Sequence, residues 1–455
     1  MLFNNYMKQK NLSGFSKYFL LVIALLFLSS VNLQAQETIT LKRATELVVE
    51  NNLQIKQAQF SEAISDENLR QSKYSLFPTL NASTNLNFNF GRSIDPLTNQ
   101  FVNQAITSTS GNISSNTPLF GGFQRINIIA QNKLQLEADK SFTQKVKNDL
   151  ILAVVTNYLT VLNSQDLLTA AMQQLDISKQ QLDIEQKFYD VGNRTLADLS
   201  QAKSQVATAE LNVTNAQNQV DLSFLNLAQL LERDPAIPFE VEKPAVNDIA
   251  TVNTAYSAAE IYRSASVNFP DIKLAELRKL VLQKEIDIAK SGYYPSLNLQ
   301  TGMGTRYSNG SFGNTTFATQ VQENFNQFIG FGLSIPLFNG FSARSAVRRA
   351  KINLMNGEVN EQLAKNNLNK VINQAVYDLR AAEKRYYSAQ TAFQSSRDAF
   401  NVIEQRYAVG LVNSLDFNLA QTNLNKAQFD QIQARYDLIF RSKVIDYYLG
   451  NPITF

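Results

Sequence analysis

The chain contains no histidine, no cysteine and no tryptophan in 455 residues. Without His and Cys it lacks the usual zinc and copper ligands, the thiol nucleophile and every His-dependent triad. Absence of Cys also suits an oxidising compartment, where a stray thiol would be modified. Charge is sparse: Asp, Glu, Lys and Arg make up 18% of the residues and nearly cancel, leaving a net charge of +3. With no basic run either, nothing recommends nucleic acid as a partner. The acidic residues are scattered over helical faces and helix starts, with no carboxylate pair or metal-binding cluster, so an enzyme is disfavoured and no cofactor is implied. Long apolar runs are missing beyond the N-terminus, and any membrane-spanning part must therefore use β-strands.

At the N-terminus, Lys8, Lys10 and Lys17 precede an apolar run from Tyr18 to Leu28, followed by small and polar residues ending at Ala35. Roughly 11 apolar residues are too few for a bilayer that needs about 20, which favours a secretory signal peptide over 1–35 rather than an anchor. Leu33 is larger than the residue usual near such a cleavage site. No Cys follows to carry a lipid.

Short stretches recur in the same order at an offset of roughly 217 residues. Asn51-Asn52-Leu53-Gln54-Ile55 is echoed loosely by Asn268-Phe269-Pro270-Asp271-Ile272, and Phe77-Pro78-Thr79-Leu80 closely by Tyr294-Pro295-Ser296-Leu297. Pro118-Leu119-Phe120-Gly121-Gly122-Phe123 returns as Pro336-Leu337-Phe338-Asn339-Gly340-Phe341, and Tyr189-Asp190-Val191-Gly192 as Tyr407-Ala408-Val409-Gly410. The chain reads as a duplication: a first repeat over 36–234, an irregular Pro-containing connector over 235–251, and a second repeat over 252–455.

Periodicity switches alike in both halves. Residues 40–75 carry apolar positions at helical spacing until Pro78 stops the pattern. Nearly strict alternation follows: Leu80, Ala82, Thr84, Leu86, Phe88 and Phe90 oppose Asn81, Ser83, Asn85, Asn87 and Asn89. In the second half alternation runs from Leu297 to Tyr307 and again from Ile329 to Leu337, while the strand ending at Pro118 alternates weakly. Pro-free stretches of roughly 67 residues, 122–189 and 340–407, predict helical rods near 100 Å that must pack side by side. Gly192 and Gly410 suit left-handed helix ends, Thr195 and Asn413 suit N-caps, and Asp198 and Asp416 suit the first turn of a returning helix. The returning helices should reach about Leu231 and Leu449.

Strands of roughly 10 residues with one apolar and one polar face fit a barrel wall between lipid and water. One hairpin per repeat gives four strands, which cannot close a barrel, so several chains must share one. A soluble sheet packed on helices is the alternative.

With the duplication, the Pro-Leu-Phe-x-Gly-Phe turns and the Tyr-x-Val-Gly tips in view, the chain resembles the TolC family of outer-membrane efflux proteins over essentially all of its mature length. The resemblance implies a mainly helical fold with membrane β-strands: a homotrimer forming one 12-stranded barrel in outer-membrane lipid, continued into a periplasmic α-helical tunnel. It also implies a passive exit duct, joined by a periplasmic membrane-fusion adaptor to an inner-membrane transporter that supplies the energy. Adaptor docking would fall on Tyr189, Gly192, Thr195 and Asp198 in one hairpin tip and on Tyr407, Gly410, Asn413 and Asp416 in the other. The family's Tyr–Asp gate latch falls on Tyr407 and Asp198. Its Arg–Thr latch falls on Val412 and Ala197, and its two aspartate rings at the lumen constriction fall on Asp416 and Leu419. One latch and one ring are thus missing, which implies a looser gate and a weaker cation site. A periplasmic coiled-coil adaptor or structural protein is the competing reading, though adaptors lack a duplication carrying membrane strands. Phe455 is uninformative, because the chain ends after a helix.

Overall fold

A computed structural model describes residues 37–94, 99–243, 253–310, 316–451 and 453. The expected signal peptide, Phe455 and the connector beyond residue 243 lie outside the described residues. The first half runs β1 (Glu37–Ile39), α1 (Leu41–Asn51), α2 (Leu53–Tyr74), β2 (Thr79–Asn89), β3 (Arg92–Ile94), β4 (Phe101–Asn103), β5 (Ile106–Gly121), α3 (Gln124–Asp190) and α4 (Leu196–Leu230). After β6 (Phe239–Val241) come α5 (Ala258–Asn268), α6 (Pro270–Lys290), β7 (Ser296–Ser308), α7 (Phe317–Glu323), β8 (Asn326–Ser334), α8 (Ser342–Ala408) and α9 (Ser414–Leu449). Among the described residues no helix is long and apolar enough to cross a membrane.

The four long strands form one antiparallel sheet in the order β2-β5-β7-β8. Its register puts Ala82, Ile113 and Met303 in one row, and the rows Leu299–Phe331 and Leu297–Leu333 on the same side. The alternating apolar positions of separate strands therefore share a face, and Leu80, Leu86, Phe88, Ile329, Phe331 and Leu333 are exposed on it. The opposite face carries Asn81, Ser83, Asn112, Asn298 and Gln300 beside Gly302, Gly304, Gly330 and Gly332. Phe328 and Ile106 are large apolar residues on this side, and Phe328 lies over Gly302, where a Cβ would come within 2.6 Å of its ring.

Three expectations need correction. The strand expected to end at Pro118 continues past an irregularity in register to Gly121. The helical pattern over 40–75 is broken at Asn52, whose backbone is extended and whose side chain caps α2 by accepting from Gln54 N–H at 2.8 Å. Its amide also donates to the Leu230 carbonyl, so the break ties α2 to the end of α4. The last strand stops at Ser334 rather than Leu337, because Pro336 has no N–H for the ladder. Short elements unforeseen from periodicity also appear: the parallel β1-β6 pair, the β3-β4 extension and α7.

Each sheet-to-helix turn places two consecutive residues in the left-handed region, Gly122 and Phe123 before α3 and Gly340 and Phe341 before α8. A phenylalanine there is strained by about 1–3 kcal/mol. It is braced by an edge-to-face partner three residues earlier, Phe120 at 5.3 Å and Phe338 at 5.5 Å. At Gly122 a Cβ would approach Ser291 O to 2.8 Å, so glycine is required for space as well as for φ.

Below the sheet the helices lie side by side as α2-α3-α6-α8, and farther down α3 and α4 form one hairpin and α8 and α9 another. The larger core gathers Ile39, Val48, Val154, Tyr158, Leu162, Leu227 and Ile439, and a second gathers Ile261, Ile372, Leu379 and Ile445. Each such aliphatic side chain contributes roughly 1.5–3 kcal/mol on burial. Tyr158 anchors the first core, its hydroxyl donating to the Ile39 and Glu242 carbonyls at 2.9 and 2.8 Å.

Candidate functional site

The hairpin tips bring together the sequence-derived candidates. Gly192 and Gly410 turn the chain with φ of 77° and 75°. Their N–H groups bond back to Tyr189 O and Tyr407 O at 2.9 and 3.0 Å, closing the ends of α3 and α8. Thr195 caps α4 in a complete capping box: its hydroxyl accepts from Asp198 N–H, and the Asp198 carboxylate accepts from Thr195 N–H at 3.1 Å and Thr195 Oγ1 at 2.7 Å. Asn413 caps α9 by accepting from Asp416 N–H at 2.8 Å. Asp416 itself is exposed.

The two hairpins touch along a polar seam. Ser414 donates to Asp198 at 3.1 Å, Gln181 to Asn418 at 3.0 Å and Gln428 to Gln173 at 3.1 Å. Farther from the tip, Asp166 receives Lys243 and Tyr436 at 2.8 Å each and pairs with Arg435. Burial works against the Asp166 charge, but these hydrogen bonds and the Arg435 and Lys243 charges prevail and hold its carboxyl below the usual range. Asp198 is likewise held low, by the Thr195 hydroxyl and N–H and then by Ser414 and Arg194.

The expected Tyr407–Asp198 hydrogen bond is not made in this structure. Asp198 is occupied by its own cap and by Ser414, and the Tyr407 hydroxyl has no hydrogen-bond partner among the described residues. Tyr407 is nonetheless only 2% exposed. Its ring stacks on Phe417 at 4.5 Å, within a cluster of Phe400, Phe417 and Leu424 flanked by Ile177 and Ile184 of the first hairpin. Val412 and Ala197 carry no charge or hydroxyl, and Leu419 is exposed.

Sequence reasoning missed the tip's apolar skin: Val191, Leu196, Val409, Leu411 and Leu415 are all well exposed. The signal was present, since apolar residues sit in turns where polar ones are usual.

The family model for outer membrane efflux proteins matches residues 44–233 and 261–451, most of the chain. The chain belongs to the outer membrane efflux protein family. It is 23% identical over 424 residues to the outer membrane efflux protein BepC of Brucella suis, covering 93% of this chain and 88% of that one. It is also 24% identical over 377 residues to the outer membrane protein TolC of Vibrio cholerae, covering 80% and 82%. Among solved structures, the CusC channel superposes with a TM-score of 0.77 at 16% identity over 93% of this chain and 96% of that one. This outer membrane efflux protein is a channel of a Gram-negative outer membrane and not an enzyme. It is the exit component of a tripartite efflux or secretion system, which implies an adaptor and an inner-membrane pump as partners.

Proposed function

We propose that three copies of this outer membrane efflux protein share one 12-stranded barrel in outer-membrane lipid and one periplasmic helical tunnel. The observation that carries this reading is the four-stranded sheet, in which the outer edges of β2 and β8 have no strand partner among the described residues and whose apolar face is exposed. Open edges in hydrocarbon leave backbone groups unsatisfied at several kcal/mol each, so the edges must be closed by neighbouring copies.

The edge helices fit the same assembly. On α2, Leu53, Phe60 and Ile64 are exposed, and on α8 Ile352, Met355, Val359 and Leu363 are exposed at heptad-like spacing. Ile64 lies ten residues before the end of α2 (74 − 64) and Ile352 ten residues after the start of α8 (352 − 342), each about 15 Å below the sheet. At a similar depth Asp66 and Glu67 on α2 face the level of Arg348 and Arg349 on α8. A copy's α8 therefore suits the next copy's α2 in apolar pattern, although Asp66 and Glu67 already pair with Arg70 of their own helix.

In this reading each chain is two structural repeats, 36–234 and 252–455, supported by 67-residue helices in both halves and by a family match in two stretches. The adaptor docks on the tips at Tyr189, Gly192, Thr195, Asp198, Tyr407, Gly410, Asn413 and Asp416 and on their exposed Val and Leu neighbours. Asp416 lines the lumen constriction. Asp198 and Tyr407 belong to the gate, with Asp198 reaching the second hairpin through Ser414.

The absence of cysteine makes a clean test possible. Ile64→Cys with Ile352→Cys, treated in membranes with a short thiol cross-linker, should give bands at two and three chains, with each single variant giving no three-chain band. Monomers alone from the paired variant would overturn the shared tunnel.

A further inference from the structure

We infer that Arg194 is a positioning residue of the gate, a clasp through which the first hairpin grips Tyr407 of the second by its ring rather than its hydroxyl. The inference rests on the reading that the tips close the tunnel. Arg194 belongs to the turn between α3 and α4, yet its side chain is only 20% exposed. Its guanidinium carbon lies 5.5 Å from the centroid of the Tyr407 ring and 5.7 Å from that of Phe188. Its Nε is 3.4 Å from Glu185 Oε2, and the Glu185 side chain is wholly buried. Neither Glu185 oxygen has a hydrogen-bond partner among the described residues, so Arg194 is the group that compensates a buried carboxylate. Burial pushes the Glu185 carboxyl up, with Arg194 opposing and Asp198 adding to the rise.

This geometry gives the arginine two duties at once. Its charge neutralises Glu185 on its own hairpin, and its face meets an aromatic ring on the other hairpin in a place shielded from water, where a cation–π contact is strongest. The opposite constraint on Tyr407 comes from Phe417, stacked at 4.5 Å. The arrangement is one-sided: at the offset of 218 residues (412 − 194) the second tip has Val412 in place of Arg194. Tyr189, the counterpart of Tyr407, is partly exposed. The clasp therefore joins hairpin to hairpin in one direction only, and it stands where the Tyr407 hydroxyl finds no acceptor.

Conservative variants separate ring from hydroxyl. Tyr407→Phe keeps the ring and Tyr407→Leu removes it. Arg194→Lys keeps a cation, and Arg194→Ala combined with Glu185→Gln removes the cation without stranding the carboxylate. In the purified assembly, amide hydrogen exchange across residues 403–417 should speed up about tenfold in Tyr407→Leu and in the double variant. It should stay near wild type in Tyr407→Phe and be largely restored in Arg194→Lys. Equal acceleration in Tyr407→Phe and Tyr407→Leu would assign the grip to the hydroxyl and overturn the clasp, as would wild-type exchange in the double variant. Conductance in planar bilayers reads the gate separately: faster exchange with larger conductance supports clasp and gate together, whereas faster exchange at unchanged conductance keeps the clasp and overturns the tips as gate.

Discussion

Ser414 donates a hydrogen bond to Asp198 at 3.1 Å, joining the first residue of α9 to the capping box of α4. One carboxylate thus ends one hairpin and holds the other. Asp198→Ala should cost about 1–2 kcal/mol locally, from the lost cap together with the cross-hairpin bond. Ser414→Ala, which leaves the cap intact, should cost about 1 kcal/mol or less. Amide exchange at residues 195–200 and 413–418 measures both. The cap reading fails if the two variants are equivalent at 195–200.

Tyr158 is fully buried and its hydroxyl proton is shared between two carbonyls, Ile39 O at the end of β1 and Glu242 O just past β6. Tyr158→Phe keeps the ring but removes the hydroxyl from Glu242 O and leaves Ile39 O with the Glu242 N–H at 3.2 Å. A loss of about 1–3 kcal/mol is expected, with β1 and β6 fraying first. Denaturant unfolding of the detergent-solubilised protein reports the magnitude, and exchange at residues 37–41 and 239–243 reports the place.

Asp166 gives a pH dependence of definite sign. Its folded carboxyl is held below the ordinary aspartate value, so it contributes stability above that value, near pH 4, and loses the contribution as the pH falls through the lower folded value. Asp166→Asn should therefore weaken the junction of α3 with α9 by about 2 kcal/mol at neutral pH. The gap from wild type should close below about pH 4. Unfolding curves for the two proteins at pH 7, 5 and 3 test this. A gap that widens on acidification would contradict it.

Much of this architecture was legible because it is periodic. The two long rods, the polar and apolar sides of β2 and β7, and the caps at Thr195 and Asn413 all come from local rules that tertiary packing did not override. Asn52 was harder to read: an asparagine within a helical pattern says little until its amide is seen on Leu230 O, far away in sequence. The β1-β6 pair is equally nonlocal, three residues finding three others across the whole first half. At the tip, spacing located Asp198 and Tyr407 but could not say which group each would meet. Arg194 has no counterpart at the second tip, and only its distances to Glu185 and Tyr407 give it a role.

If the two outer sheet edges are closed by copies of the same chain, the folded unit is a trimer. Native mass spectrometry of the protein extracted from outer membranes in mild detergent addresses it directly. A particle of three chains with no stable folded monomer is expected; a well-folded particle of one chain retaining its β-structure would mean that the edges are not closed by other copies.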